Sequence, residues 1–324
     1  MQRILITGGT GFVGSYLVPF LKSRGEHVTV LSAGNATFQE GGVEYCKADI
    51  RNSDDVGAIV RAVNPNGIFH LAGVSSIAES WTNPRLAFDV NVAGTFNLFE
   101  SAMRLPCPPR ILNVSTGQVY AQSDAALEET APLGPDNPYA ATKAMAELLA
   151  VQYRQSTSGG IITARAFNHT GPGQLPSFAL PSFAKQLAEM ESGIIPPVLK
   201  VGNIKVKRDF TDVRDVVVAY CQLLEKAKNG GIYNVCSGHA VLLVDVLKEL
   251  QTHCSVKVEL EVDPARVRSN DIPQVLGDPS KIQRETGWRS QVPLKTTLRE
   301  LLAYWRRKIR LDIPANNQSS EHLS

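Results

Sequence analysis

Residues 4–21 read ILITGGTGFVGSYLVPFL. A short apolar run ends in Thr7, glycines follow at 8, 11 and 14, and an amphipathic pattern then begins. A glycine triplet alone is a weak signal. Here it lies between a strand pattern and a helix pattern at the start of a β–α–β unit, which is the context that gives it meaning. The first glycine frees the turn from side-chain sterics, the second lets the backbone approach a pyrophosphate, and the third lets the helix pack on the strand. The helix start adds unpaired N–H groups and a partial positive charge. The stretch therefore predicts a dinucleotide site, with Gly8, Gly11, Phe12, Val13 and Gly14 around the phosphates.

The alternation continues outward. Strands are predicted over 3–7, 27–31, 43–47, 67–70, 110–114 and 161–165, and helices over 12–24, 53–63, 84–103 and 139–155. Alternating β and α units imply a parallel sheet with helices on both faces. Strands buried on both sides need continuous apolar runs such as VTVL, which are present. The fold class is α/β, a Rossmann-like doubly wound parallel sheet over 1–166, with a later segment at about 205–222 packing back on it. After Ala166 the rhythm breaks at FNHTGPGQLP, and segments such as GIIPPVLKVGN (193–203) suggest small edge structures. Residues 167–311 are assigned to a smaller C-terminal α/β substrate-binding domain. Residues 312–324 are polar and aperiodic, the pattern of a disordered tail.

Composition narrows the function. The 324 residues are 43% hydrophobic and 20% charged, with a net charge of +2. That balance carries no broad basic surface for nucleic acid. No apolar run approaches the ~20 residues of a membrane span, and MQRILITGG lacks the layout of a signal peptide. The five cysteines (46, 107, 221, 236, 254) form no C-x-x-C pair. They are read as reduced packing residues of a cytoplasmic protein, with no metal site.

The second strand runs VTVLSAGN and ends in Ser32, Ala33, Gly34 and Asn35. An acidic residue there would bind the ribose 2′-OH of NAD. Its absence leaves room for a 2′-phosphate, although no arginine clamp follows, so the reading favours NADPH with NADH usable. Asp49 and Ile50, in CKADIRN, are placed to meet the adenine edge. Asp49 could equally cap a short turn.

Two further stretches carry chemistry. VSTGQVYA (114–121) ends an apolar run in small hydroxyl residues, and PYAATKAMAELL puts Tyr139 and Lys143 four apart on one helical face. A tyrosine normally titrates near 10. A neighbouring ammonium favours the phenolate, which makes the phenol a usable acid or base near neutrality.

The glycine loop, the hydroxyl cluster and the Tyr/Lys pair together resemble the extended short-chain dehydrogenase/reductase family, in its nucleotide-sugar branch. HLAG (70–73), NVAGT (91–95), STGQVY, YAATK and FNHTGPGQ add to the resemblance, which spans nearly the whole chain. It implies Thr116, Tyr139 and Lys143 as the catalytic triad. Tyr139 would transfer the proton at a sugar oxygen, Thr116 would orient that oxygen, and Lys143 would hold the nicotinamide ribose. It also implies that Leu71, Ala72 and Gly73 line the cofactor channel and that Asn91 lies beside it. In the second half, FAKQL (183–187), VLKVGNIKVKRDFTDVRDVVVAY (198–220), GIYNVCSG (231–238) and ARVRSNDIP (265–273) resemble the GDP-4-keto-6-deoxy-D-mannose reductases, whose product is GDP-D-rhamnose. GDP-mannose 4,6-dehydratases share several of these segments.

A GDP-sugar carries an anionic pyrophosphate and needs fixed donors. The resemblance places Arg208 and Arg268 at its nucleotide end and Asn168 on a phosphate oxygen, with Lys185 on a helix facing the same cleft. Arg208 beside Asp209, Asp212 and Asp215 could instead be a solvated ion-pair cluster. Ser75, Glu79 and Trp81 are expected near the sugar ring, and His169 is read as a structural hydrogen-bonder. The segment 84–103 is apolar on more than one face, so it wants two partners. One is the sheet. The other is the same helix, with 139–155, of a second subunit in a homodimer.

Three functions compete: a C4-keto reductase, a 4,6-dehydratase or epimerase, and a dinucleotide-binding sensor. A sensor has no need of the triad. Dehydratases that resemble this chain carry a glutamate two residues after the catalytic threonine, and here that position is Gln118. An amide cannot exchange a proton at neutral pH, so it cannot eliminate water across C5 and C6. Gln118 therefore points to a substrate contact in a reductase.

Overall fold

The computed structural model describes residues 2–34, 41–153, 159–267 and 272–312. They fall into two units: residues 1–169, 209–240 and 275–291 form the first, and 170–208, 241–274 and 292–324 the second. The returning segments are longer than the 205–222 expected from the sequence. The segment 275–291 gave no β–α signal, because it contributes one helix, Ser280–Thr286, and the buried Trp288 rather than a repeat of the pattern.

Among the described residues the first unit is built on a seven-stranded sheet: β1 (Arg3–Thr7), β2 (His27–Ser32), β3 (Glu44–Lys47), β4 (Gly67–His70), β5 (Arg110–Thr116), β6 (Gly160–Ala166) and β7 (Ile232–Val235). Their order across the sheet is β7-β6-β5-β4-β1-β2-β3, and every neighbouring pair is parallel. The order reverses between β1 and β4. Ligands of such sheets bind at this switch, beyond the carboxyl ends of the strands.

Successive strand residues face opposite sides. Ile4 and Ile6 of β1, with Leu112 of β5, pack under α1 (Gly14–Ser23) and α5 (Val213–Lys226) through Leu17, Leu21, Val216 and Leu223. Leu5, Ile68 and Ile111 pack on the other side under α2 (Ser53–Val63), α3 (Thr95–Met103) and α4 (Pro138–Val151), meeting Val56, Val60, Leu98 and Phe99. Burial on both faces explains why these strands read as unbroken apolar runs.

Two boundaries differ from the sequence reading. β5 runs on through Ser115 and Thr116, and only Gly117–Val119 turns, as a short 3-10 segment. The predicted helix over 84–103 is Pro84–Phe88, a π-helical stretch Asp89–Gly94, and then α3. There the Thr95 hydroxyl donates to the Asn91 carbonyl (2.6 Å), and the Gly94 backbone lies against Ile50.

In the second unit the strands Val198–Val201 and Glu259–Val262 pair in parallel. Helix Ala179–Glu191 packs along Leu294–Asp312. Arg306 clamps Glu191 with two bonds of 2.7 Å, and its pull holds the Glu191 carboxyl down to about 2. Asp312, the first residue of the predicted 312–324 tail, still belongs to the last helix, and the rest of that segment, 313–324, lies outside the described residues.

Candidate active site

The glycine loop leaves β1 through Gly8, whose φ of +69° favours glycine. A Cβ on Gly8 would stand 2.6 Å from the Ala72 nitrogen, and one on Gly14 would stand 2.1 Å from the Gly9 carbonyl oxygen. The loop is thus pressed against Leu71 and Ala72 at the end of β4. α1 has neither a side-chain cap nor an acidic residue in its first turn. By contrast, Asn52 caps α2 and Asn137 caps α4. An uncapped helix start beside glycines that no side chain could replace fits a dinucleotide pyrophosphate. Thr10 and Ser32 join their hydroxyls at 2.7 Å, tying this loop to the end of β2.

Under the loop runs a buried chain of hydrogen bonds. The Ala72 N–H donates to the Thr7 hydroxyl (3.3 Å), and Thr7 donates to His70 Nδ1 (2.7 Å). His70 Nε2 in turn donates to Thr95 (2.8 Å), whose proton goes to the Asn91 carbonyl. Burial holds the His70 ring neutral, with its pKa lowered to about 3. The Asn91 amide is spent on both backbone groups of Val74 and on Thr142. Asn91 is 1% exposed, so it supports the floor of the site instead of facing a cofactor as expected. Ile50 is likewise buried, against Gly94.

At the end of β5 the alternation separates the two hydroxyls. Ser115 turns to Glu147 on α4, while Thr116 is hydrogen-bonded to the Tyr139 hydroxyl. Tyr139 sits in the first turn of α4, whose start is fixed by Pro138 and the Asn137 cap. The Tyr139 N–H donates to the Ser80 hydroxyl (3.1 Å). Ser80, one position outside the predicted set, gave no sequence signal. Lys143 is 7% exposed, and its ammonium donates to the Val114 carbonyl at 2.8 Å.

The electrostatics differ from the sequence expectation. Burial pushes the Tyr139 phenol up, and the Thr116 hydrogen bond pulls it only partly back. Lys143 is itself lowered to about 8 by burial, with Glu147 opposing that shift. The pair therefore holds its phenolic proton at neutral pH and does not rest as a phenolate. Gln118 lies half-buried beside these groups. Its N–H donates to the Thr116 hydroxyl (3.3 Å), and its side-chain oxygen accepts from Asn137 (3.3 Å).

The other predicted positions are spread more widely. Asp49 is gripped by the Arg51 guanidinium, which lowers its pKa. Asp49, Arg51, Arg85 and Asp89 line a cavity of about 460 Å³. Arg51 and Arg85 were not among the predicted positions, and each is paired with a carboxylate, Arg51 with Asp49 and Arg85 with Asp89. Ser75 and Glu79 are exposed, and Trp81 is 62% exposed. Asn168 is half-buried in the first unit, and the neighbouring His169 ring stacks on Phe12 of the glycine loop at 6.2 Å and 5°. Lys185 and Arg208 belong to the second unit. There Lys185 pairs with Glu189 (3.3 Å), and Arg208 donates to the carbonyls of Lys207 and Ile272. Arg268 lies outside the described residues.

Comparison with known proteins settles the family. Residues 5–301 match the family model described as GDP-mannose 4,6 dehydratase. The chain belongs to that family. It is 34% identical to a GDP-6-deoxy-D-mannose reductase of Pseudomonas aeruginosa over 95% of this chain and 99% of the relative. The structure of RMD from Pseudomonas aeruginosa complexed with NADPH superposes with a TM-score of 0.83 at 32% identity, covering 95% of this chain and 100% of that one. A Thermus thermophilus UDP-glucose 4-epimerase in complex with NAD gives a TM-score of 0.84 at 30% identity, covering 94% and 99%.

Proposed function

We propose that this family member is an NADPH-dependent reductase that converts the C4 ketone of GDP-4-keto-6-deoxy-D-mannose to GDP-D-rhamnose, with NADH usable. The observation that carries the reading is the pairing of Thr116, Tyr139 and Lys143 with an amide, Gln118, where dehydration needs a carboxylate. The likeness to a reductase of Pseudomonas aeruginosa supports it. The nicotinamide would supply the hydride to C4. Tyr139 delivers its proton to O4 as the carbonyl is reduced, and its raised pKa keeps that proton available. Thr116 bonds the same phenol and orients the sugar oxygen against it. The Lys143 ammonium lowers the energy of the phenolate left behind. Gly8, Gly11, Phe12, Val13, Gly14, Ser32, Asp49, Leu71, Ala72 and Gly73 would hold the dinucleotide, and Ser75, Glu79, Gln118, Asn168, Lys185, Arg208 and Arg268 the GDP-sugar.

The reading extends to a cytoplasmic homodimer. Phe88 and Phe96 on the 84–103 segment, and Met145, Leu148 and Val151 on α4, are exposed apolar side chains. These are the two helical segments assigned to the subunit contact. No described helix is long and apolar enough to cross a membrane.

Purified protein given NADPH and GDP-4-keto-6-deoxy-D-mannose should consume NADPH, and the NMR spectrum of the product should be that of GDP-D-rhamnose. Given GDP-mannose alone, it should release no keto-sugar. Dehydration of GDP-mannose would overturn the reading of Gln118, and a 6-deoxy-talose product would overturn the assigned C4 stereochemistry.

A further inference from the structure

Glu147 has no role in the mechanism above, yet it is a carboxylate only 6% exposed on the helix that carries Tyr139 and Lys143. It follows Lys143 by one helical turn and shares its face. Its two oxygens accept from Arg165 Nε (3.1 and 3.1 Å) and Nη2 (2.7 Å), and Oε1 also accepts from the Ser115 hydroxyl (2.5 Å). Arg165, 3% exposed on β6, donates to the Glu129 carbonyl and lies 4.6 Å over the Tyr120 ring.

This arrangement ties the end of β5 to α4 at successive residues. The Val114 carbonyl is held by Lys143, Ser115 by Glu147 and Thr116 by Tyr139. A buried ion pair is a weak way to stabilise a fold, since well-packed apolar residues of the same volume often serve as well. Its placement among the catalytic groups suggests a different use. Glu147, on its own helix, acts on the Lys143 charge, and the Lys143 charge in turn helps to keep the His70 ring of β4 neutral. Glu147 faces Ser115 from β5, Arg165 from β6 and Tyr120 from the connection after β5, and Arg165 reaches on to the Glu129 carbonyl.

We propose that Glu147 is a positioning residue of the reaction: one helical turn beyond Lys143 and bonded to both Ser115 and Arg165, it places a fixed negative charge beside the Lys143 ammonium and holds the end of β5 against Tyr139. The inference rests on the reductase reading, in which Lys143 must be charged. Burial alone would discharge this lysine more readily, and Glu147 acts in the opposite sense.

The test uses the full-length protein and compares two profiles between about pH 6 and about pH 10, NADPH dissociation constants and kcat/KM for the keto-sugar. Glu147→Gln should move the alkaline limb of both profiles down by about one pH unit. Its loss relative to wild type would then be up to ~10-fold larger above the limb than below it. Glu147→Asp keeps the charge and should restore most of the limb. Glu147→Gln leaves Arg165 buried without its partner, so Glu147→Gln combined with Arg165→Gln provides a variant with no unpaired buried charge, and its limb should also lie below that of wild type. A uniform loss at every pH, or limbs that coincide with wild type in the folded variants, would overturn the proposal. A wild-type protein that binds NADPH but reduces no keto-sugar would overturn the reductase reading instead, while the NADPH-binding limb would still report on Glu147.

Discussion

The chemistry at residue scale turns on which way two neighbours face. The sequence shows hydroxyls at 115 and 116 as a cluster, and the pleat of β5 separates them into one that meets Glu147 and one that meets Tyr139. Tyr139→Phe removes the proton donor and should reduce kcat by ~10²-fold or more while leaving NADPH binding in place, as stopped-flow turnover and fluorescence titration would show. Lys143 makes a second prediction, with opposite signs for activity and stability. Its folded pKa is about 8 against 10.5 in the unfolded chain. Between those values the unfolded chain binds more protons, so this group's contribution to stability grows as pH rises through that window. Activity should fall over the same window as the ammonium is lost. Urea denaturation and initial rates measured together across this range should diverge, and Lys143→Met should flatten the stability trend.

Elements formed here where local pattern and tertiary demand agree. β1, the glycine loop and α1 are legible because apolar run, turn glycines and amphipathic helix all point one way. The π-helical stretch Asp89–Gly94 was not legible. Hydrophobic spacing over 84–103 reads as one helix, whereas the actual backbone answers to hydrogen bonds that join Thr95, His70 and Asn91 from different strands and helices. The same reason hid the place of Ser80, whose partner, the Tyr139 N–H, is brought to it by the fold. The glycine positions and the shared face of Tyr139 and Lys143 were readable because spacing within one element fixes their geometry, whereas Thr116, on a different element, entered only through the family resemblance. The glycine loop also gives the sharpest test at this scale. Gly14→Ala would place a Cβ 2.1 Å from the Gly9 carbonyl. The loop must then open, at a cost of about 1–3 kcal/mol. NADPH affinity should fall and the thermal midpoint should drop, whereas Gly34→Ala, with nothing within 4 Å of its Cβ, should change neither.

For the whole molecule, the proposed homodimer turns on the apolar side chains that α3, α4 and the segment before α3 leave exposed. Leu98, Phe99 and Ala102 of α3 are fully buried in the core. Phe96 on the same helix and Phe88 before it are each 42% exposed, and Leu148 on α4 is 64% exposed. Scattered apolar side chains on a surface need no explanation, but several on the two helical segments assigned to the subunit contact are what the proposed interface needs. Because a two-fold contact is self-complementary, one substitution alters the interface twice. Leu148→Glu places two carboxylates in the apolar contact and should convert the dimer to a monomer, measured by sedimentation or light scattering at micromolar concentration. Tyr139 is on α4 with Leu148 but nearer its start, so separation of the subunits should raise the mobility of that helix before it removes any catalytic group. NADPH should therefore bind the monomer more weakly, and raising the concentration of a weaker variant such as Leu148→Ala should recover the affinity along with the dimer. A wild-type chain that sediments as a monomer at these concentrations would leave the patch to some other partner and remove the homodimer from the proposed function.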